Sequence, residues 1–277
     1  MKVIETIAEM KNLRQQIAGP LGFVPTMGYL HEGHISLVKQ AREENPTIAA
    51  SIYVNPTQFG PGEDFESYPR NTERDLSMLE KENTDIVFMP TGEDMYPPKY
   101  DSWVDVGDIT QRLEGASRPT HFRGVTTIVN KLFNIVQPTK AYFGQKDAQQ
   151  LAVIKKMVKD LNMNLEVIAC PTIREPDGLA MSSRNSYLKP DERKAAAVLY
   201  QSLKLAEQLY KQGEKDAEKI RREMTELISK QPLTNIDYVS IADNETLEEL
   251  AEVKSPVLVS LAVKIGKPRL IDNIVLK

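Results

Sequence analysis

The chain has 277 residues, of which 41% are hydrophobic and 27% are charged, close to the composition of an average globular protein. This composition excludes a mainly disordered chain, and the net charge of −4 argues against a general nucleic-acid-binding protein. A single cysteine cannot form an intramolecular disulfide, which suits a reducing compartment. The amino terminus meets charge too early for a signal peptide, and no run approaches the ~20 apolar residues of a membrane span. We therefore expect a cytoplasmic protein with no nucleic-acid or membrane partner.

Short β-rich runs alternate with helical patterns in the first part of the chain. Strands are predicted at residues 21–24, 47–54, 85–89, 140–143 and 164–169. Helices are predicted at residues 33–44, from residue 72 onward, at 125–136 and at 147–161. Asn71 or Thr72 can cap the second of these helices, and Asp75 would close a capping box with Thr72. The alternation predicts an α/β fold with a Rossmann-like parallel sheet and helices on both faces.

The pattern changes after about residue 171. Helices are predicted at residues 190–213 and 216–230, and strands at 236–242, 257–263 and 269–276. The last two strands are separated by Gly266, Lys267 and Pro268, which are typical of a hairpin turn. We therefore predict a Rossmann-like domain at residues 1–172 and a smaller α+β C-terminal domain at residues 173–277.

Two of the three histidines fall three residues apart, where a predicted strand runs into a helix. His31 and His34 would share one face of the helix start, where backbone N–H groups and the helix dipole attract anions. Gly33 between them would let a nucleotide approach the backbone closely. The alternatives are ordinary surface or partly buried histidines, or a zinc site, for which the chain offers no third ligand nearby. The pair predicts a phosphate site, although the P-loop and dinucleotide motifs are absent.

A second strand–loop–helix junction carries Gly144, Gln145, Lys146 and Asp147. Lys146 is a compact cation suited to phosphate, and Asp147 can cap the helix or hold a ribose hydroxyl. Gln150 lies one turn further along and would face the same crevice. The alternative for this motif is an ordinary capped helix.

Polar groups also mark a loop near the domain junction. Met181, Ser182, Ser183 and Arg184 place two hydroxyls before a guanidinium, which suits an anion that develops charge during a reaction. A junction between domains is a common place for a lid. By itself this run also fits a solvated turn.

Two further runs follow or precede predicted elements. Gln58, after the strand at residues 47–54, is a neutral group that can orient a carboxylate without a strong ion pair. Residues 118–124 place two cations and the third histidine before the helix predicted at 125–136. A simple helix lead-in explains this second run equally well.

Five runs, in this order, resemble the pantothenate synthetase family, also called the pantoate–β-alanine ligases. They are PTMGYLHEGH at residues 25–34, NPTQF at 55–59, RPTHFRGV at 118–125, FGQKDAQQ at 143–150 and MSSRN at 181–185. Each run alone is modest, but five in order over nearly the whole chain make coincidence very unlikely. HEGH is similar to the histidine signature of nucleotidyltransferases and class I aminoacyl-tRNA synthetases, and MSSRN is similar to the flexible lysine-rich loop of those synthetases.

The resemblance implies that ATP drives the condensation of pantoate with β-alanine to pantothenate, a precursor of coenzyme A. The pantoate carboxylate would attack the α-phosphorus of MgATP, giving pantoyl adenylate and pyrophosphate. The β-alanine amine would then attack the acyl carbon and expel AMP. The expected cofactors are therefore ATP, as a substrate, and Mg²⁺, whose ligands stay open. A homodimer is implied by the family alone.

The resemblance also implies a role for each motif. His34 would donate a proton, and the other catalytic residues would be His31, Lys146 and Arg184. Gln58 and Gln150 would bind pantoate, and the C-terminal domain would form a lid. Contacts to ATP are implied for Met27, Gly28, Tyr29, Leu30, His31, Glu32, Gly33, His34, Gly144, Gln145, Lys146, Asp147, Ile173, Met181, Ser182, Ser183 and Arg184.

Two other functions stay open at this point. A nucleotidyltransferase that moves AMP or CMP onto a phosphorylated acceptor shares the histidine motif but does not need the paired glutamines. A non-catalytic nucleotide-binding regulator would keep the phosphate loops and show no turnover. Pyrophosphate release with and without pantoate separates these functions from the ligase.

Overall fold

The structure, a computed structural model, describes all of residues 1–277, and its internal contacts divide the chain into two units. The first unit contains Met1–Gly144 and Val153–Pro171, and the second contains Gln145–Ala152 and Thr172–Lys277. The segment Gln145–Ala152 therefore groups with the C-terminal part of the chain. The domain limits of 1–172 and 173–277, and the lid, stay predictions.

A six-stranded parallel sheet forms the centre of the first unit, which confirms the predicted α/β, Rossmann-like fold. In chain order its strands are β1 Lys2–Ile4, β2 Leu21–Thr26, β3 Thr47–Ile52, β4 Ile86–Phe88, β5 Lys140–Gly144 and β6 Glu166–Cys170. Their order in the sheet is β1-β4-β3-β2-β5-β6. The chain thus proceeds outward from β2 in one direction and from β5 in the other. Open α/β sheets bind ligands beyond the carboxyl ends of the strands at such a switch point.

The central strands are buried because they are almost continuously apolar, as parallel strands covered by helices are. The helices that begin in this part of the chain are α1 Ile7–Gln16, α2 Glu32–Glu44, α3 Thr72–Lys81, α4 Gly92–Met95, α5 Glu114–Ser117, α6 His121–Val136 and α7 Ala148–Asp160. The apolar face of α2 packs with β2, β3 and β4 in one core cluster that includes Val24, Val38 and Val87. This packing fixes the start of α2 at the carboxyl end of β2.

Helix α6 begins four residues earlier than its apolar pattern predicts. His121 to Gly124 are not a lead-in but form its first turn, in which Phe122 and Gly124 are buried. The hydroxyl of Thr126 donates to the carbonyl oxygen of Phe122 at 2.8 Å, as happens inside helices. The apolar spacing did not predict this first turn of α6, because the turn includes polar residues.

The second unit is built on a three-stranded antiparallel sheet, as the α+β prediction requires. Its strands are β7 Thr234–Asp243, β8 Val257–Ile265 and β9 Arg269–Leu276, and its helices are α8 Pro190–Ala195, α9 Ala197–Lys211 and α10 Ala217–Ser229. The predicted hairpin between β8 and β9 is confirmed. The single helix predicted at residues 190–213 is wrong, because it is interrupted at Ala196. None of the ten helices in the chain combines the length and the apolar character that a membrane crossing demands.

Candidate functional site

The loop after β2 turns sharply through two residues with left-handed backbone. Gly28 has φ 77° and Tyr29 has φ 49°, a conformation that is costly for residues other than glycine. A Cβ on Gly28 would lie 3.0 Å from Cγ2 of Ile52 and 3.1 Å from Oδ2 of Asp75. The loop therefore passes closely over the end of β3, and only a residue without a side chain fits there.

Asp75 fixes this loop through two hydrogen bonds, a role that sequence patterns did not predict. Its carboxylate is 1% exposed, and its oxygens accept the backbone N–H groups of Tyr29 at 2.7 Å and Leu30 at 2.8 Å. The capping box predicted between Thr72 and Asp75 is wrong, because the N-cap of α3 is Asn71. The carboxylate supplies the acceptor that the partly buried Tyr29 N–H and the buried Leu30 N–H need.

His31 and His34 cap α2 in a reciprocal arrangement. The Gly33 N–H donates to Nδ1 of His31 at 3.1 Å, and the His31 N–H donates to Nδ1 of His34 at 3.3 Å. The two ring centroids are 4.1 Å apart. Because Nδ1 of each ring accepts a hydrogen bond, each neutral imidazole carries its hydrogen on Nε2. The two rings thus act as N–H donors at the positive end of a helix, an arrangement that suits phosphate oxygens.

Gln58 lies in the 3₁₀ turn Pro56–Gln58 after β3, and the structure brings it next to the histidine loop. Its Nε2 donates to Sδ of Met27 at 3.1 Å, and its Oε1 accepts from Nδ2 of Asn55 at 3.1 Å. Asn55 is 1% exposed, and its Nδ2 also donates to the carbonyl oxygen of Gly124 at 3.1 Å. The hydroxyl of Tyr96 donates to Oδ1 of Asn55 at 2.9 Å. The amide of Gln58 is therefore oriented by a network of neutral groups.

Gly124 allows α6 to approach this turn. A Cβ at this position would lie 2.3 Å from the carbonyl oxygen of Thr57 and 2.7 Å from the backbone nitrogen of Gln58. We expect Gly124→Ala to displace the turn and to destabilise the protein by about 1–3 kcal/mol, measured by thermal unfolding. Gly92→Ala in α4 is the matched control, because no atom lies within 4 Å of its added Cβ. Equal melting temperatures for the two variants would contradict the close approach.

The residues Arg118 and His121 hold the backbone of Gln58. The guanidinium of Arg118 forms a two-point ion pair with Glu63, at 2.6 Å and 2.5 Å, and donates to the carbonyl oxygen of Gln58 at 3.2 Å. His121 lies between them: its Nδ1 is 2.8 Å from the same carbonyl oxygen, and its Nε2 is 3.2 Å from Nη1 of Arg118. Since a carbonyl only accepts and a guanidinium only donates, Nδ1 carries the hydrogen. This run therefore orients Gln58.

Burial, together with the nearby charge of Arg118, lowers the pKa of His121 from 6.5 to about 4. The unfolded state therefore binds a proton between pH 6.5 and pH 4 that the folded state does not. The resulting stabilisation is complete above the unfolded pKa, and it is lost as the pH falls towards the folded pKa. The pKa difference corresponds to about 3 kcal/mol.

We expect the free energy of unfolding of the wild-type protein to fall towards pH 4 by up to about 3 kcal/mol more than that of His121→Gln. The variant side chain keeps polar atoms but does not titrate. Urea unfolding of both proteins at about pH 7, 5.5 and 4.5 measures the difference, and the carboxylates common to both cancel. A difference that stays constant with pH would mean that His121 is not held neutral by burial.

In the second unit, Gln145–Asp147 forms a 3₁₀ turn directly before α7. Nζ of Lys146 lies 3.3 Å from Oδ1 of Asp147. Gln150 lies in the first turn of α7, and Gly144 is the last residue of β5 in the first unit. The turn is held from the side by Asn273, whose Nδ2 donates to the carbonyl oxygens of Gln145 and Lys146, each at 2.9 Å. Asn273 lies outside every run that the sequence singled out.

The serine run begins a short 3₁₀ helix, Ser183–Tyr187, whose N-cap is Ser182. The Met181 N–H donates to the carbonyl oxygen of Ile173 at 3.0 Å. Met181 and Ile173, both predicted to contact ATP, are therefore neighbours. Asn185 fixes the run by donating from Nδ2 to Oε1 of Glu175 at 2.9 Å. The sequence-predicted residues thus form two sets. Met27 to His34 lie with Gln58 in the first unit, and residues 145–147, 150, 173 and 181–184 lie in the second.

A family model described as pantoate-beta-alanine ligase matches residues 2–275 of this chain. Pantothenate synthetases from Thermotoga petrophila and Herpetosiphon aurantiacus are 57% and 58% identical to it, each over the full length of both chains. The crystal structure of pantothenate synthetase from Thermus thermophilus has a TM-score of 0.95 at 46% identity, covering 99% of each chain. A Francisella tularensis pantoate-beta-alanine ligase, solved in complex with beta-gamma ATP and beta-alanine, has a TM-score of 0.82 at 34% identity, covering 99% of this chain and 97% of that one.

The matches cover the whole chain in both sequence and structure, and they agree on one enzyme. The chain therefore belongs to the pantoate–β-alanine ligase family.

Proposed function

We propose that this enzyme makes pantothenate from pantoate, β-alanine and ATP through a pantoyl-adenylate intermediate. The observation that carries the proposal is the reciprocal cap of α2, in which Nδ1 of His31 and Nδ1 of His34 both accept backbone hydrogen bonds. Both rings then present Nε2–H donors where a phosphate would meet a helix N-terminus. The related Francisella tularensis enzyme, whose structure contains beta-gamma ATP and beta-alanine, supports the same substrates.

In the first step, a carboxylate oxygen of pantoate attacks the α-phosphorus of ATP. An oxygen–phosphorus bond forms, the bond to the β-phosphate oxygen breaks, and pyrophosphate leaves with the electron pair. We assign His31 and His34 to the phosphates, whose charge grows in the transition state, with the Nε2–H of His34 donating a hydrogen bond to them. Lys146 and Arg184 supply positive charge in the same role, and Ser182 and Ser183 donate hydroxyl hydrogen bonds to pyrophosphate.

We assign the remaining ATP contacts to residues of the same sequence motifs. Residues 27–33 would approach the nucleotide through the left-handed loop, and Asp147 would accept from a ribose hydroxyl. Gly144, Gln145, Ile173 and Met181 complete the set, with the backbone of Ile173 beside adenine. We further propose that the C-terminal domain predicted at residues 173–277 acts as a lid that excludes water from the mixed anhydride.

In the second step, the amine of β-alanine attacks the acyl carbon and loses a proton as the amide forms. The acyl carbon–oxygen bond breaks, and AMP leaves with one oxygen that began in the pantoate carboxylate. We assign Gln58 and Gln150 to pantoate, because neutral amides orient a carboxylate without the ion pair that would make it a weaker nucleophile. The neutral network around Gln58 supports this role.

Mg²⁺ enters the proposal as part of the MgATP substrate. The chain contains no group of three or more histidine, cysteine, aspartate or glutamate side chains that could hold a metal ion. Mg²⁺ usually binds through substrate phosphates and water with few protein ligands, so the proposal places it on the phosphates of ATP. A homodimeric assembly and a cytoplasmic location are also proposed here, from the family resemblance and from the composition respectively.

Pyrophosphate release with defined substrate mixtures tests this function. ATP alone should give no release, and ATP with pantoate should give a burst of about one pyrophosphate per site, which then stops because the closed site protects the adenylate. Adding β-alanine should release AMP and restart turnover. Release that requires β-alanine would contradict the stepwise adenylate, and release with a phosphorylated acceptor instead of pantoate would indicate a nucleotidyltransferase.

A further inference from the structure

Two consecutive polar residues, Asp272 and Asn273, are buried in the middle of the last strand of the chain. Their side chains are 1% and 4% exposed, and they pair in β9 with Leu261 and Ser260 of β8. A buried carboxylate next to a buried amide is costly unless both are fully hydrogen-bonded. No catalytic motif includes either residue, so their partners show what they do.

All the hydrogen-bonding groups of the Asn273 side-chain amide bind the turn at residues 145–147. Nδ2 donates to the carbonyl oxygens of Gln145 and Lys146, each at 2.9 Å, and Oδ1 accepts from Nε2 of Gln145 at 3.1 Å. Both amide hydrogens and the amide oxygen thus bind two adjacent residues. A turn held at two successive carbonyls cannot rotate about the peptide between them without breaking at least one of these bonds.

Asp272 keeps the strand itself in place. It forms a two-point ion pair with Arg174, at 2.6 Å and 2.9 Å, and its Oδ1 accepts the backbone N–H of Asn273 at 2.7 Å. The guanidinium of Arg174 also donates to the carbonyl oxygen of Gly178 at 3.0 Å and lies 4.1 Å from the ring centre of Tyr200. Two-point pairs of this kind fix orientation as well as distance. The amide of Asn273 therefore projects from a rigid support.

We propose that Asn273 is a positioning residue for Lys146, which it acts on by holding the backbone from which the lysine side chain extends. The inference rests on the proposed role of Lys146 at the phosphates of ATP. A flexible lysine contributes most when its stem starts from a fixed point, because misplacement of a reacting group by about 1 Å can cost about 10²-fold in rate. Asn273 supplies that fixed point and does not itself touch ATP.

Two variants of Asn273 test this role, and the second is expected to disturb the turn more than the first. Asn273→Ala removes the three hydrogen bonds, and Asn273→Asp also places a carboxylate oxygen against two carbonyl oxygens. We expect kcat for pyrophosphate release with ATP, pantoate and β-alanine to fall by about 10-fold and about 10²-fold, respectively. The KM for pantoate should change less than about threefold. Asp237→Asn, which breaks the exposed Asp237–Arg269 ion pair in the same sheet, is the control and should keep wild-type kinetics.

A double-mutant cycle with Lys146→Ala separates positioning from general destabilisation. If Asn273 acts through Lys146, then Asn273→Ala should weaken ATP binding about 10-fold in the wild-type background and less than about threefold in the Lys146→Ala background. Isothermal titration with ATP measures this without turnover. The same factor in both backgrounds, or unchanged ATP binding by both Asn273 variants, would overturn the inference. Absence of pyrophosphate release by the wild-type enzyme would instead contradict the proposed function and leave the titration as the test of Asn273.

Discussion

His34→Ala should lower the rate constant for pyrophosphate release from ATP and pantoate by about 10²–10³. The ring of His34 accepts the His31 N–H at Nδ1, so its Nε2–H is the donor that meets charge developing on the phosphates. The loss is expected mainly in the maximal burst rate at saturating substrates, because the interaction strengthens as the pentavalent transition state forms. Rapid-quench kinetics of the burst measure it without interference from the second step.

The substitution also removes one capping hydrogen bond from α2, which contributes about 1 kcal/mol. Thr6→Ala is the matched control, since it removes the hydroxyl that accepts from the Glu9 N–H at the start of α1. It should lower stability by a similar amount and leave the burst unchanged. A folded His34→Ala protein with a near-wild-type burst would remove the histidine pair from the mechanism.

Asp75→Asn should lower kcat/KM for ATP by about 10² and destabilise the protein by about 1–3 kcal/mol. In the wild-type protein, each carboxylate oxygen of Asp75 accepts one backbone N–H, from Tyr29 or from Leu30. An asparagine amide keeps the shape but turns an NH₂ group towards one of these donors, so that N–H group loses its partner. The loop at residues 28–30 should then shift relative to the histidines. Steady-state kinetics and urea unfolding measure the two effects.

Asp85→Asn is the control for Asp75→Asn. Oδ2 of Asp85 accepts the backbone N–H of Ile48 at 2.8 Å and pairs with Arg42 at 2.8 Å, so this carboxylate also holds a backbone group. It precedes β4, however, and therefore lies at the amino ends of the parallel strands, opposite to the edge where ligands bind. Loss of stability with normal kinetics is expected. Equal kinetic losses in both variants would argue that Asp75 supports only the fold.

The sequence predicted the elements with clear apolar spacing and the residues that stand in compact motifs. The parallel strands β2 to β6 and the start of α2 at the histidine pair follow from local patterns. Strand β1 has only three residues, of which one is buried, so it lacks the fully apolar, buried run that marks the equally short β4. The break at Ala196 interrupts a helix whose apolar stripe is continuous, so spacing could not reveal it.

The supporting residues of the site were missed because their partners are distant in the chain. Asp75 lies 46 and 45 residues from the two N–H groups that it binds, and Arg118 lies 55 residues from Glu63. Asn273 lies 128 and 127 residues from the carbonyls that it holds. In each case a local explanation, a capping box, a helix lead-in or a strand residue, accounts for the sequence equally well. Only the fold shows which hydrogen-bonding group each of these side chains serves.

The most direct test of the adenylate mechanism follows the carboxylate oxygens of pantoate. With pantoate carrying ¹⁸O in both carboxylate oxygens, MgATP and β-alanine, the mechanism predicts one ¹⁸O in the phosphate of every AMP and none in pyrophosphate. Mass spectrometry of the products measures both. The label should appear in AMP because the oxygen that attacks the α-phosphorus stays on phosphorus when the amine expels AMP from the acyl carbon. AMP without the label, or ¹⁸O in inorganic phosphate released together with ADP, would contradict the account.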